Sequence, residues 1–170
     1  SLLTVSGRLD PRLYGPPINP PRPSEDAAKR LFSGPLDSHG RRSLYIEMSI
    51  MEPPRFLAGF NLPDLKLPTG SRDVTNVPAQ ALIMLNNPLV VQLADQWATQ
   101  LIEDGSVAIE QRVRRMFLHA LGRPPSNHEV KRWAAAVSDF AQSTDLITDK
   151  AAWSELAHAL FNTKEFIYYR

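Results

Sequence analysis

The stretch Asn86-Asn87-Pro88-Leu89-Val90-Val91-Gln92-Leu93-Ala94-Asp95-Gln96-Trp97-Ala98-Thr99-Gln100-Leu101 decides the fold. Asn87 can accept a hydrogen bond from the free amides of a helix start. Pro88 suits the first helical position, where its missing N–H would have had no partner. Leu89, Val90, Leu93, Trp97 and Leu101 then recur at spacings of three or four, the signature of one apolar helix face. Such a face needs a partner, and the downstream sequence offers several.

Gly105 stops the long helix, and Ser106 is the expected cap of the next, whose stripe is Ile109, Val113, Met116, Phe117, Ala120 and Leu121. Gly122 and Pro124-Pro125 close it. Ser126-Asn127-His128-Glu129 is a capping box opening a helix with Val130, Trp133, Val137 and Phe140 inward. Thr148 or Asp149 caps a last long helix with Trp153, Leu156, Ala157, Leu160 and Phe161 on its face, ending or bending at Asn162. Residues 164–170 are apolar and aromatic and are expected to dock. On the upstream side, Pro78 opens a helix carrying Ala81, Leu82, Met84 and Leu85. About four short helices with brief connections imply antiparallel neighbours in a small, mainly α bundle.

Residues 1–78 have a different grammar, holding 12 of the 15 prolines and 6 of the 8 glycines. Gly15-Pro16-Pro17-Ile18-Asn19-Pro20-Pro21-Arg22-Pro23 cannot be a helix interior, because proline lacks the amide donor and restrains its predecessor. It reads as a linker, as a docking motif for an aromatic groove, or as an irregular arm lying on the bundle. Leu13, Tyr14 and Ile18 as apolar anchors favour the arm. Ser24 is the expected cap of a short helix over residues 24–32, with Glu25 and Asp26 in its first turn. Residues 43–50 alternate well enough for one strand at most, and residues 54–60 for one helical turn carrying Phe56, Leu57 and Phe60. Leu2, Leu3 and Val5 before Gly7 read as the last turn of a helix with upstream residues expected before Ser1. The expected division is an arm over 1–78 and a bundle over 79–170, together one fragment of a larger domain.

The 170 residues carry 19 basic and 18 acidic side chains, 43% hydrophobic residues and no cysteine. A phosphate-backbone binder would carry a larger positive excess, so no nucleic-acid partner is expected. No apolar run is long enough to cross a membrane, so no membrane insertion is expected. Disulfides, thiolate metal sites and covalent haem attachment are excluded. His39, His119, His128 and His158 lack metal-ligand spacing, and no metal is expected. Asp37-Ser38-His39-Gly40 reads as a turn, not a triad. Phosphate-cradling glycine loops and the Gly-x-Ser-x-Gly elbow are absent, and no catalytic residue is nominated.

The arginines are more informative. Arg41 and Arg42 precede Tyr45, and Arg72 precedes Thr75, Asn76 and Gln80 at a helix start. Arginines beside free helix amides can hold a carboxylate, sulfate or phosphate, so these seven residues form a candidate anion site. The competing reading has Arg42 and Arg72 paired with Asp73 or chain carbonyls, pinning the arm, and is favoured. Arg112, Arg114 and Arg115, with Glu110 nearby, read as a solvated helix face.

Ser6-Gly7-Arg8-Leu9-Asp10, Gly15-Pro16-Pro17, Arg41-Arg42-Ser43-Leu44-Tyr45, the run from Arg72 to Leu82, Leu85-Asn86-Asn87-Pro88, Ala120-Leu121-Gly122-Arg123-Pro124-Pro125 with Glu129, and Leu160-Phe161-Asn162-Thr163-Lys164-Glu165-Phe166 recur in this order. The ordered set resembles the C-terminal part of the planctomycete-specific domain of unknown function. The resemblance implies a large exported, extracytoplasmic multidomain bacterial protein, often with a cytochrome-c-like domain upstream. It implies partners in the upstream domains of the same polypeptide, with another protein as a second candidate. Any haem would belong to a separate domain, with no cofactor in this segment. Relatives often place a cysteine before the Arg72 segment; here Pro68, Thr69, Gly70 and Ser71 stand there, so no cysteine role transfers.

Three functions follow as expectations. The first is a non-catalytic structural and interaction module. The second is part of an enzyme site acting on anionic, for example sulfated, glycans. The third, haem docking through Met48, Met51, Met84 or Met116, rests on the cytochrome neighbour alone.

Overall fold

A computed structural model describes residues 1–63, 66, 70, 78–105 and 108–168. Among them the chain is mainly helical: α1 Leu2–Val5, α2 Arg55–Ala58, α3 Pro78–Asn86, α4 Pro88–Glu103, α5 Ile109–Leu121, α6 Asn127–Phe140, α7 Lys150–Phe161 and α8 Lys164–Ile167. They fall into two compact units, one of residues 1–7 and 90–170, the other of residues 8–89.

The first unit is the bundle. The apolar spacing of α4 buries Val90, Leu93, Trp97 and Leu101. α5 buries Val113, Met116 and Phe117, while α7 buries Trp153, Leu156, Leu160 and Phe161. α6 packs on α5 and α7, and α8 on the same two helices. Trp97 stacks on Phe161 with centroids 5.3 Å apart, Phe161 meets Phe166 of α8 at 5.0 Å, and Phe117 meets Trp133 edge-on at 5.3 Å. Burying each such side chain is worth about 1.5–3 kcal/mol, so this shared core holds the unit together. Phe140, expected inward, is 40% exposed, because α6 ends there and the chain turns away at Ala141.

The helix boundaries follow local chemistry. Leu89 N donates to Asn87 Oδ1 at 2.9 Å. Ser126 Oγ accepts from Glu129 N while Glu129 Oε2 accepts from Ser126 N, the reciprocal box. Asp149, not Thr148, caps α7, with Oδ1 accepting from Ala152 N at 3.1 Å. Thr163 caps α8, and Gly122 ends α5 in the left-handed conformation at φ 69°, open to glycine without steric cost. The expected cap Ser106 lies outside the described residues; Ala108 stands at the α5 N-cap without a side-chain bond. α1 closes at Gly7, and Gln100 Nε2 of α4 donates to Ser6 O at 3.0 Å.

The second unit is irregular. Residues 43–50 do not form a strand: Ser43–Tyr45 is a 3₁₀ turn, and pairing with residues 16–20 stops at one parallel bridge, Ile18 to Ile46. Ile18 N donates to Tyr45 O and Glu47 N donates to Ile18 O, both at 2.8 Å. Pro16, Pro17, Pro20 and Pro21 bring no N–H, so the ladder cannot lengthen on either side. The short helix expected over 24–32 shrinks to a 3₁₀ turn, Ala27–Lys29, capped by Asp26 instead of Ser24. It ends because Arg30 turns left-handed and Leu31 folds back on Asp26. The Asp37-Ser38-His39-Gly40 turn forms as expected, with Asp37 accepting from His39 N.

Candidate functional site

Among the described nominated residues, Arg41 is the most buried after Gln80. Its position comes from the backbone: Asp10 N donates to Gly40 O at 2.8 Å, and Asp10 and Arg41 form a parallel bridge. Gly40 has φ 75°, and a Cβ there would sit 1.9 Å from Arg8 O, so only glycine lets the two segments approach this closely. Beside it, Arg8 Nε donates to the buried carboxylate of Asp37 at 3.0 Å, fixing the turn that leads into Arg41.

From that anchor the guanidinium of Arg41 lies over the Tyr45 ring, 4.1 Å from the centroid. Its Nη2 donates to Tyr14 O at 2.7 Å. Tyr45 Oη in turn accepts from Tyr14 N at 2.8 Å. Both backbone groups of Tyr14 are thus held by side chains about thirty residues away in sequence, and Tyr14 sits at φ 63°, rare for a residue with a Cβ. Arg41 Nε is buried without an acceptor among the described residues. Nearby, Arg12 donates through its guanidinium and its amide to Asp10. These bonds hold the Asp10 carboxyl below the usual range, with a smaller contribution from the Arg41 charge.

The structure therefore brings Arg41 and Tyr45 together. Arg42 is exposed at the start of the 3₁₀ turn, and Gln80 is buried on α3. Arg72, Thr75 and Asn76 lie outside the described residues. Chemically, Arg41 has one face on an aromatic ring and one donor on a carbonyl. That arrangement clamps backbone through one of the five guanidinium donors.

Two further arginines matter that sequence reasoning misplaced or passed over. Arg112 is not on a solvated face. It is 2% exposed, donating Nη1 to Ile147 O at 2.6 Å and Nη2 to Gly105 O at 3.1 Å, over the Trp153 ring at 4.7 Å. It turns inward because two loop carbonyls outside the helices need donors that only a long cationic side chain can bring. Burial pushes its pKa down, and the nearby Asp104 charge partly restores it. Arg123, just past α5, grips Glu165 through Nε at 2.6 Å and Glu129 through Nη2 at 2.8 Å. Its own pKa is raised by Glu165 and then by Glu129. Arg123 and then Ser126 hold the Glu129 carboxyl down at about 2. A local signal for this clamp existed in the Glu129 capping box, but none pointed to Glu165.

Among the described residues no group of His, Asp or Glu side chains converges to hold a metal, and no helix is long and apolar enough to cross a membrane. Residues 1–137 match the PSD1 family, described as a protein of unknown function (DUF1553). The chain belongs to this family. No curated protein and no solved structure matches it. The family match stops inside α6, so α7 and α8, which complete the bundle core, lie beyond it.

Proposed function

We propose that this member of the PSD1 family is a non-catalytic structural and interaction module at the C-terminal end of an exported multidomain protein. The observation that carries the reading is the use made of Arg41. Its buried guanidinium is engaged by the Tyr14 carbonyl and the Tyr45 ring. Arg112 and Arg123 are likewise turned on carbonyls and carboxylates of the chain itself. The ordered motifs from Ser6-Gly7-Arg8 to Leu160-Phe161-Asn162 support an extracytoplasmic setting with upstream domains of the same polypeptide as partners.

Deletion of residues 79–170 from the parent protein tests this. Loss of parent stability or assembly is expected. A parent that stays stable and assembled but loses only turnover would refute the module and favour the anionic-glycan site. Calorimetry separates the two at the residue level. Arg41→Ala is expected to lower thermal stability, with no heat from sulfate in either form. Sulfate binding by the native chain that vanishes in Arg41→Ala at unchanged stability would overturn the tether.

A further inference from the structure

Residues 11–17 form a loop whose two ends are fixed and whose middle is held at one residue. At one end Asp10 N donates to Gly40 O at 2.8 Å. At the other, Ile18 N donates to Tyr45 O and Glu47 N donates to Ile18 O, both at 2.8 Å. Between these ends every residue is exposed, so packing contributes little to their placement. Pro11, Pro16 and Pro17 have no N–H to give. Arg12 bonds to Asp10, at its own end of the loop. Among the described residues, the hydrogen bonds that join the middle of the loop to the rest of the chain are the two at Tyr14.

Those two bonds are not separate. Arg41 Nη2 donates to Tyr14 O at 2.7 Å, and Tyr45 Oη accepts from Tyr14 N at 2.8 Å. The Arg41 guanidinium also lies over the Tyr45 ring, 4.1 Å from its centroid. Arg41 and Tyr45 thus grip one residue while resting on each other. What they hold is strained. Tyr14 sits at φ 63°, and at 82% exposure it has little packing to offset that conformation. A residue with a Cβ keeps a left-handed backbone only where its surroundings impose it. Losing either grip lets Tyr14 return to negative φ, and that rotation carries its N–H and its C=O away from the remaining partner as well. Holding and release are therefore all-or-none at this residue.

We propose that residues 11–17 are a strap closed by a single latch. The Arg41–Tyr45 pair holds Tyr14 in its left-handed conformation, and release by either side chain opens the strap between Asp10 and Ile18. The strain favours opening, since only the closed form carries the left-handed tyrosine. Opening turns a rigid loop into an extended segment with the Arg12–Leu13 bond at its centre, a form that a protease cleft can take in. The strap stands on these contacts and not on reading the chain as an interaction module.

Trypsin cleavage of the Arg12–Leu13 bond in the full chain, followed by mass spectrometry, reads the open fraction. The native chain is expected to be cut at least about tenfold more slowly than a synthetic peptide of residues 8–20. Rates of the variants at residue 14 are taken relative to the peptide with the same substitution. Tyr14→Val changes only an exposed side chain and leaves both backbone bonds possible. A β-branched residue tolerates positive φ worst, so cleavage is expected to rise about fivefold. Tyr14→Gly removes the strain and is expected to be cut no faster than the native chain. Arg41→Ala and Tyr45→Phe are each expected to speed cleavage about tenfold. The two together are expected to add no more than about twofold, because either loss already opens the latch. Should Arg41→Ala speed hydrogen exchange elsewhere in residues 8–89, Tyr14→Val and Tyr45→Phe decide alone. A native chain cut as fast as the peptide overturns the latch. So do native rates in Tyr14→Val and Tyr45→Phe, faster cutting of Tyr14→Gly, or a double variant cut at the product of the two single effects.

Discussion

Replacing Arg112 separates what its hydrogen bonds contribute from what its bulk contributes. The guanidinium makes two charge-assisted bonds, to Ile147 O and Gly105 O, and lies over Trp153. Bonds of this kind contribute about 1.5–3 kcal/mol each, and a desolvated cation over an indole about 2 kcal/mol. Against them stands a burial cost of several kcal/mol for the charge. Arg112→Ala loses every favourable contribution, leaves a void and strands the Ile147 carbonyl, so a net loss of about 3–4 kcal/mol is expected. Arg112→Met keeps most of the volume over Trp153 and relieves the charge burial, so a loss of about 1–2 kcal/mol is expected. At a urea dependence of about 2 kcal/mol per molar, alanine moves the midpoint down by about 1.5–2 M and methionine by about half that or less. The three tryptophans, Trp97, Trp133 and Trp153, all lie within residues 90–170, so their fluorescence follows this unit alone. An alanine variant at the native midpoint, or a methionine variant as damaged as alanine, would refute the assignment of Arg112 as a carbonyl tether.

Truncation after residue 137, where the family match ends, removes Trp153, Leu156, Leu160 and Phe161 from the core. At about 1.5–3 kcal/mol each this rivals the whole stability of an ordinary domain, so residues 1–137 are expected to show no cooperative thermal transition of the bundle by circular dichroism. Glu129 has a folded pKa of about 2 against an ordinary 4.5, so its contribution is fully present above pH 4.5 and is lost as pH falls towards 2. Glu129→Gln should therefore lower the urea midpoint at neutral pH, with the gap from the native chain closing as pH falls from 4.5 to 2. Gly40→Ala forces a Cβ to 1.9 Å from Arg8 O at φ 75°, so the amide of Asp10, bonded to Gly40 O, is expected to exchange with solvent about tenfold faster or more.

The helical half was legible because helix ends are local events. Asn87, Gly122, the Ser126–Glu129 box and Asp149 cap their helices through amides and carbonyls within four residues of themselves. The apolar spacings of α4, α5 and α7 are equally local, and the buried stripes match them. Residues 43–50 misled because alternation states only which side chains share a face; a strand also needs a neighbour with free N–H groups, and the neighbour here is proline-rich. Of the candidate site, Arg41 and Tyr45 are close in sequence and meet. Tyr14, which completes the cluster, is 27 residues from Arg41 and carried no signal of its role. Arg112 was hidden by the usual preference of long cations for water, and its acceptor Ile147 O is 35 residues away. The Arg123 clamp reaches 42 residues to Glu165.

The arginine contacts to main-chain carbonyls share a cause. Proline removes donors, and a chain with 15 prolines and long irregular stretches is left with more carbonyls than backbone N–H groups to satisfy them. The deficit is met from side chains: Arg22 Nη1 reaches Glu52 O at 2.9 Å, Arg41 Nη2 reaches Tyr14 O, and Arg112 serves both Ile147 O and Gly105 O. Arginine suits the task because five donors on a planar fork can serve carbonyls from different loops while the flat face packs on an aromatic ring. Lysine has the charge but neither the fork nor the face. A run of arginines in a proline-rich sequence therefore has a structural demand to meet before any ligand is invoked. Arg114 and Arg115, on a regular helix whose own amides already satisfy its carbonyls, escape this demand and stay exposed.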